Sequence, residues 1–456
     1  MGLSDSYAFP GPFKPMDNQI RRWEFLLSHQ YAFDLSETRT GKTATAIWAC
    51  DYLMSQIGGS VLILAPLTTL STVWEKHYGL ICDAPERCCV LSGATSSRVA
   101  KVAGSDNLFF ITNYECLLSD KFRQAVHTSD IHTIVVDEAT AFKHFNSKRS
   151  KYMRELGFGR NVWGLTATPM PNSPMNAYGV ARAIRPDYRE SMSKFRDRTH
   201  IRKDMFTWVP KDNATDTAYE ILQPSIRVKR EECYAIPATT TERRLIRLGD
   251  KTEAAYKAMR RSAFLDLGKQ GTISAPHEAA LCNKLLQIAG GAAYTGTGSV
   301  EFEPGGRAAE LLEVLESTRD KAVVFVPYTA QLELVKTLIS KAGYSVCTLH
   351  GATKQKDRAR TIDLFERTRH PHVIVADPRV LAHGVELSAA GVLVWWLPTY
   401  SNEIYQQALA RPIARGMTKG VLNVQLCGTP EEKKIYDRLD KRESLQGVLL
   451  EALEGD

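Results

Sequence analysis

The chain has 456 residues, 44% hydrophobic and 24% charged, with a formal net charge of +7. These are the values of a globular protein of two or three domains with substantial cores, and they leave no room for a low-complexity tract. A charge of +7 suits a polyanionic partner and equally a mildly basic enzyme.

No apolar run approaches the ~18 residues that span a bilayer, and the first residues lack the basic-then-apolar order of a signal peptide. The nine cysteines, at 50, 82, 88, 89, 116, 233, 282, 347 and 427, form no CxxC pairs. Reduced thiols, no zinc site and a cytoplasmic location are therefore expected.

In chain order, short β-branched or aliphatic runs alternate with longer helical stretches in two blocks. The first block predicts strands at 31–36, 60–66, 108–113, 133–138 and 161–168, with helices such as 42–56 and 69–78 between them. The stretch from about 170 to 315 reads as helix-rich, including "TERRLIRLGDKTEAAYKAMRRSAFLDLG" and "HEAALCNKLLQIAGG". The second block predicts strands at 322–327, 345–350, 372–377, 392–398 and 422–427, with helices at 329–342 and 354–369. Near-continuous apolar strands separated by helices predict parallel sheets covered on both faces. The fold class is therefore α/β, with two doubly wound parallel-sheet lobes and a helical region between them. The expected divisions are an ATP-binding lobe at 1–226, a linker and helical region at 227–315, and a second lobe at 316–456. The tryptophans in "VWEKH", "VWGL" and "LVWWLP" read as core.

Strand, turn and helix in "YAFDLSETRTGKTATAIWACDYL" have the order of a phosphate-binding loop. Gly41 would let the backbone approach a phosphate, Lys42 would meet the β/γ-phosphates, and Thr43 would offer its hydroxyl to Mg²⁺. The opening glycine of the usual pattern is replaced by Ser36. Asp137 and Glu138 end the strand "TIVVDE", where an acid pair can serve a metal and orient a water; an ordinary helix cap is the other reading. Loop and acid pair together favour ATP hydrolysis.

"SETRTGKT", "DEAT" and "LTATP" (165–169) resemble the first three ATPase motifs of superfamily 2 helicases. "APLTTLSTVWEKH", "ITNYECL", "DEATAFKHFNSKRSK" and "GLTATPMPNSPMNAYGV" are similar to segments of the Swi/Snf-type branch. "LHGATKQKDRARTIDLFE" and "HGVELSAAGVLVWWLPTYSNEIYQQALARPIARG" match later motifs in order. The likeness spans about 14 to 445, and the compact chain looks like phage helicases of that branch. The family tolerates a non-glycine at the position of Ser36, whereas Arg39 stands where many members have glycine.

This resemblance implies two RecA-like lobes with ATP and Mg²⁺ bound between them. Gln19 would recognise adenine, and Thr38, Thr40, Gly41, Lys42 and Thr43 would wrap the phosphates. Thr43 and Asp137 would hold the metal, Glu138 would activate water, and Thr166 and Thr168 would couple nucleotide state to lobe movement. From the second lobe, Gly384 and Glu386 would line the site. Arg411 and Arg415 would supply cationic charge, Arg415 as the finger although it falls one residue late in the family pattern. Nucleic acid would touch Thr68, Thr69, Lys143, His350, Lys354 and Arg358. Arg227, Lys229 and Arg230 have two readings, an interlobe brace as the resemblance implies and a plain charged linker. The expected activity is that of a monomeric, nucleic-acid-stimulated ATPase translocating on double-stranded or branched DNA, with RNA open as a substrate. A strand-separating helicase and an ATP-switched binding module are the alternatives.

Overall fold

The computed structural model describes residues 4, 6–82, 84–104, 108–171, 173–204, 208–234, 239–267, 272–275, 278–296, 298–381, 387–413, 417 and 419–441. It divides into two compact units, Met1–Tyr234 and Ala235–Asp456.

The first unit holds strands β1 (Tyr31–Asp34), β2 (Ser60–Ala65), β3 (Cys88–Val90), β4 (Phe109–Asn113), β5 (Ile131–Asp137) and β6 (Asn161–Leu165). Next come β7 (His200–Arg202), β8 (Trp208–Pro210) and β9 (Ser225–Ile226). Seven of them form one parallel sheet in the order β3-β4-β2-β5-β6-β1-β9. Strand alternation explains the continuous apolar runs. Val61, Ile63 and Val135 pack into a core on one face with Trp23, Trp48, Trp74 and Trp163, while Leu62, Leu64, Ile134 and Val136 pack into the other. Both faces are buried, so no polar alternation survives. Because all seven strands are parallel, the loops after them share one edge, at their carboxyl ends, where open α/β sheets place their ligands. The expected strands of the first block are all present; β3 and β9 are additions too short to read from pattern.

The second unit contains β10 (Thr239–Leu245), then two small hairpins, β11 (Phe264–Asp266) with β12 (Thr272–Ser274) and β13 (Ala292–Tyr294) with β14 (Ser299–Glu301). They are followed by β15 (Lys321–Phe325), β16 (Val346–Leu349), β17 (Val373–Ala376), β18 (Ala390–Trp395) and β19 (Val421–Cys427). Its parallel sheet runs β10-β19-β18-β15-β17-β16. The five strands expected in the second block are there.

Residues 241–245 correct the helical expectation for "TERRL". They belong to an edge strand whose outward side chains are polar because water, not another layer, meets them. Arg243 there is held by Gln425, Asp437 and Asp440. The helices Asp250–Ser262 and Glu278–Ala289 that follow are as expected and share a small core of Tyr256, Met259, Leu281 and Leu285. The fully buried Arg307 ties that region to the sheet. It forms an ion pair with the equally buried Glu432 at 2.8 Å and also donates to the Ala289 and Leu426 carbonyls.

Trp74, Trp163, Trp395 and Trp396 are at most 1% exposed, as core tryptophans should be. Among the described residues no helix is long and apolar enough to cross a membrane.

Candidate nucleotide site

The turn after β1 is built around two left-handed residues. Gly41, at φ 83°, opens the helix Lys42–Ile57 with no side chain capping it. A Cβ there would stand 2.4 Å from the end of the flexible Gln19 side chain, so it is the positive φ more than the contact that asks for glycine. Arg39, at φ 65°, occupies the same backbone region without glycine's freedom. That geometry assigns a strain cost of about 1–2 kcal/mol to the arginine. The first-turn N–H groups of the helix have no intrahelical partner, and without a capping side chain they form a site suited to phosphate.

Lys42 reaches back over the loop, its Nζ donating to the carbonyls of Ser36 at 2.6 Å and Glu37 at 2.8 Å. Burial pulls its pKa below the ordinary 10.5, opposed by the charges of Asp34, Glu138 and Asp137. Donor set and cradle therefore fit a nucleotide polyphosphate.

Below the loop sits an arrangement that motif reading did not find. Arg22 and Asp34, both fully buried, pair at 3.3 Å. The same guanidinium donates to Thr40 Oγ1 at 3.3 Å and to the Thr40 carbonyl, and Asp34 Oδ1 accepts the Ser36 N–H at 3.0 Å. One ion pair thus pins both arms of the loop. A signal was available, because Gln19, Arg22, Trp23 and Leu26 are the buried residues of their helix at i, i+3, i+4, i+7 spacing. An arginine on an apolar stripe needs a buried acid.

Ser36 also has a structural reason. Its hydroxyl accepts the Val228 N–H at 3.0 Å. Around it, segment 224–234 lies against the loop: Phe33, Leu35 and Glu37 donate their N–H groups to the carbonyls of Pro224, Ile226 and Val228. Arg230 pairs with Glu37 at 3.3 Å, and Tyr234 donates to the Arg39 carbonyl at 3.2 Å. Arg230, expected in a linker or brace, therefore braces the loop of its own unit.

At the end of β5, Asp137 is fixed from two sides. Trp74 Nε1 donates to its Oδ2 at 2.8 Å, and the Glu138 N–H to its Oδ1 at 3.1 Å. Tyr114 donates to the Asp137 carbonyl at 2.5 Å, and burial together with the two acids holds that phenol well above its ordinary pKa. Glu138 itself is left-handed, at φ 46°. Of the three non-glycine residues with positive φ among those described, two are in this site, as expected where function imposes backbone strain. No group of three or more His, Cys, Asp or Glu able to hold a metal occurs among the described residues. Asp137 and Thr43 are the residues expected at Mg²⁺, an ion that commonly keeps several waters and needs few protein ligands.

Thr166 is buried. Its N–H donates to the Asp34 carbonyl at 3.1 Å, and its hydroxyl accepts the Thr168 N–H at 3.2 Å. The hydroxyl of Thr168 has no partner among the described residues. Of the expected nucleic-acid contacts in this unit, Thr68 and Lys143 are partly exposed in the loops after β2 and β5. Thr69 is 5% exposed, with its hydroxyl donated to the Pro66 carbonyl at 2.9 Å.

In the second unit His350, Lys354 and Arg358 gather in one turn after β16. The His350 N–H donates to Thr353 Oγ1 at 3.1 Å, Arg358 Nη2 to the Thr353 carbonyl at 3.3 Å, and exposed Lys354 precedes the helix Gln355–Arg367. The helix Asn402–Ala410 stops two residues before Pro412, and Arg411 follows it directly, accepting the Leu387 N–H at 3.1 Å. Gln407 is 2% exposed, and its amide oxygen has no partner among the described residues. Gly384, Glu386 and Arg415 lie outside the described residues.

Two parallel sheets of this kind, one carrying a lysine-bearing loop at its carboxyl edge beside a strand-end acid pair, define a two-lobed RecA-like core of superfamily 2. The profile of the SNF2-related domain matches residues 35–289, more than half of the chain, and that of the helicase conserved C-terminal domain matches 306–416. The chain belongs to the SNF2-related family, the Swi/Snf-type branch of the superfamily 2 ATPases.

Relatives include the putative ATP-dependent helicase/translocase YwqA of Bacillus subtilis, 23% identical over 86% of this chain and 43% of that protein. The uncharacterized ATP-dependent helicase MG018 of Mycoplasma genitalium is 22% identical over 91% of this chain and 40% of its own length. The chain thus spans about two fifths of these relatives. Putative protein p41 of Acyrthosiphon pisum secondary endosymbiont phage 1 is matched over 93% of its length at 24% identity, with 91% of this chain covered. The Hef helicase domain of Pyrococcus furiosus shares the fold, with a TM-score of 0.53 at 15% identity over 92% of this chain and 97% of that one.

Proposed function

We propose that this chain is the motor core of a nucleic-acid-stimulated ATPase that moves along double-stranded or branched DNA. The observation that carries this reading is the placement of Lys42 within the field of Asp34, Asp137 and Glu138, on a helix start that no side chain caps. Lys42 leaves the Ser36 and Glu37 carbonyls to meet the β/γ-phosphates of ATP. Gly41 and the first-turn N–H groups hold the phosphates in place, and Gln19, packed against Gly41, reads the adenine edge. Mg²⁺, when bound, offsets phosphate charge, and Thr43 and Asp137 are the residues that would hold it. Glu138 takes the proton of the attacking water. Arg415, with Arg411, supplies the cation that charge growing on the γ-phosphate demands. Thr166, tied by its N–H to Asp34 behind the loop, links nucleotide state to the 166–174 segment.

The test is ATP turnover by the purified chain with no nucleic acid, single-stranded DNA, duplex DNA, forked DNA and RNA, using Glu138→Gln as control. Stimulation mainly by duplex or forked DNA, lost in the variant, supports the reading. Stimulation by RNA alone, or binding of ATP without turnover under any condition, overturns it.

A further inference from the structure

After the helix Met192–Thr199 the chain forms an antiparallel hairpin, β7 with β8, that joins neither parallel sheet. Ile201 lies opposite Val209, so the two share one face, and they are 61% and 43% exposed. Isolated two-stranded ribbons are marginal in water, yet this one is anchored on its other side. The Arg196 guanidinium lies 4.0 Å from the centre of the Trp208 ring, His200 is 6% exposed, and Lys211 donates its N–H to the Thr199 carbonyl at 2.9 Å and its Nζ to the Asp197 carbonyl at 2.7 Å. A ribbon stiffened from behind thus presents two β-branched aliphatic side chains outward.

Two further observations indicate what meets that face. Residues 194–211 carry six Lys or Arg against two Asp, with Arg198 already paired to Glu190 and Glu220. Arg202 and Lys203, which follow Ile201 in the chain, are both exposed, Arg202 on the side of Trp208. The root of the hairpin also touches the nucleotide edge of its own unit. Thr199 Oγ1 lies 3.7 Å from Met175 Sδ, and Met175 begins the helix Met175–Ile184, which follows β6 and Thr166 in the chain.

We propose that this hairpin is a second nucleic-acid contact, which meets the open end of a DNA duplex at a fork. The inference rests on the DNA-dependent reading above. Cations recognise phosphates anywhere along DNA and specify nothing. In a continuous duplex the flat base faces are stacked and hidden. Only a fork, gap or end exposes one, and aliphatic side chains are what proteins press against or between such faces. A purely apolar partner surface would gain nothing from the surrounding charge, whereas DNA uses both features.

The experiment measures binding of the full chain, by fluorescence anisotropy, to a forked duplex and to a closed dumbbell duplex that has no open end. Ile201→Thr/Val209→Thr keeps the β-branched shape that strands favour while making the face polar. It should weaken fork binding roughly tenfold, the scale of one lost base contact, and leave dumbbell binding within about twofold. Arg202→Gln/Lys203→Gln should weaken both and flatten their salt dependence. No fork preference in the wild type, or a preference unchanged by the threonine pair, overturns the proposal. If ATP turnover responds to DNA while fork preference ignores the hairpin, only this inference falls. If turnover responds to no nucleic acid, the motor reading falls first.

Discussion

The carboxyl edges of the two sheets differ in how far their polar groups are satisfied. In the first unit Asp137, Asp34, Ser36 and Lys42 each have a named partner before any ligand arrives. In the second unit the amide oxygens of Gln407 and Asn402 and the hydroxyl of Tyr400 are buried with no partner among the described residues. An unmade hydrogen bond of that kind costs about 1–3 kcal/mol. The first edge, the Thr168 hydroxyl excepted, is therefore organised in advance of its ligand, whereas the second carries that cost at three buried groups without a partner among the described residues.

The largest expected effect breaks the first edge from beneath. Arg22→Ala removes the buried ion-pair partner of Asp34 and should cost about 3–5 kcal/mol, seen as a large drop in the denaturant midpoint. Arg22→Met with Asp34→Leu should recover most of that loss while still impairing ATP binding, because Thr40 and Ser36 lose their anchors. Next, Lys42→Met should cut ATP turnover by on the order of 10²–10³ without harming the fold. The pH dependence of stability sharpens this case. Burial sets the pKa of Lys42 in the folded chain below its ordinary 10.5, so the unfolded chain binds that proton more tightly. The contribution of Lys42 should then rise with pH through the window below 10.5, against the fall imposed by buried thiols and phenols whose pKa is raised. Lys42→Met should remove it, seen as a difference between the pH-resolved melting curves of variant and wild type.

Gln407→Leu tests the second edge. Removing a buried oxygen without a partner should stabilise the chain by about 1 kcal/mol while reducing turnover, and unchanged stability would mean that no such cost is carried there. The smallest effect is Arg39→Gly, which relieves a left-handed arginine and should add about 1 kcal/mol or less in the same melts.

Much of this was legible from residues alone. The ten apolar strands announced themselves because both faces of each sheet are covered, and Lys42, Asp137 and Glu138 stand on strand-to-helix turns that their neighbours predict. What hid did so for physical reasons. Residues 239–245 are an edge strand facing water and carry the composition of a charged linker. The hairpin β7–β8 is three residues a side, too short for periodicity. Trp74 reads as plain core because its single polar atom, which holds Asp137, leaves no trace in a hydrophobic pattern. Arg22 and Asp34 are 12 residues apart, and only the fold makes them neighbours.

Segment 224–234 has a consequence for the order in which the protein is made. Ser36 and Arg39 take their partners 192 and 195 residues further along the chain. At roughly 5–20 residues per second of synthesis, the loop waits on the order of 10–40 seconds for the strand that completes it. The newborn first unit should thus be blind to ATP until residue 234 has emerged, and any fragment meant to bind nucleotide must run at least that far.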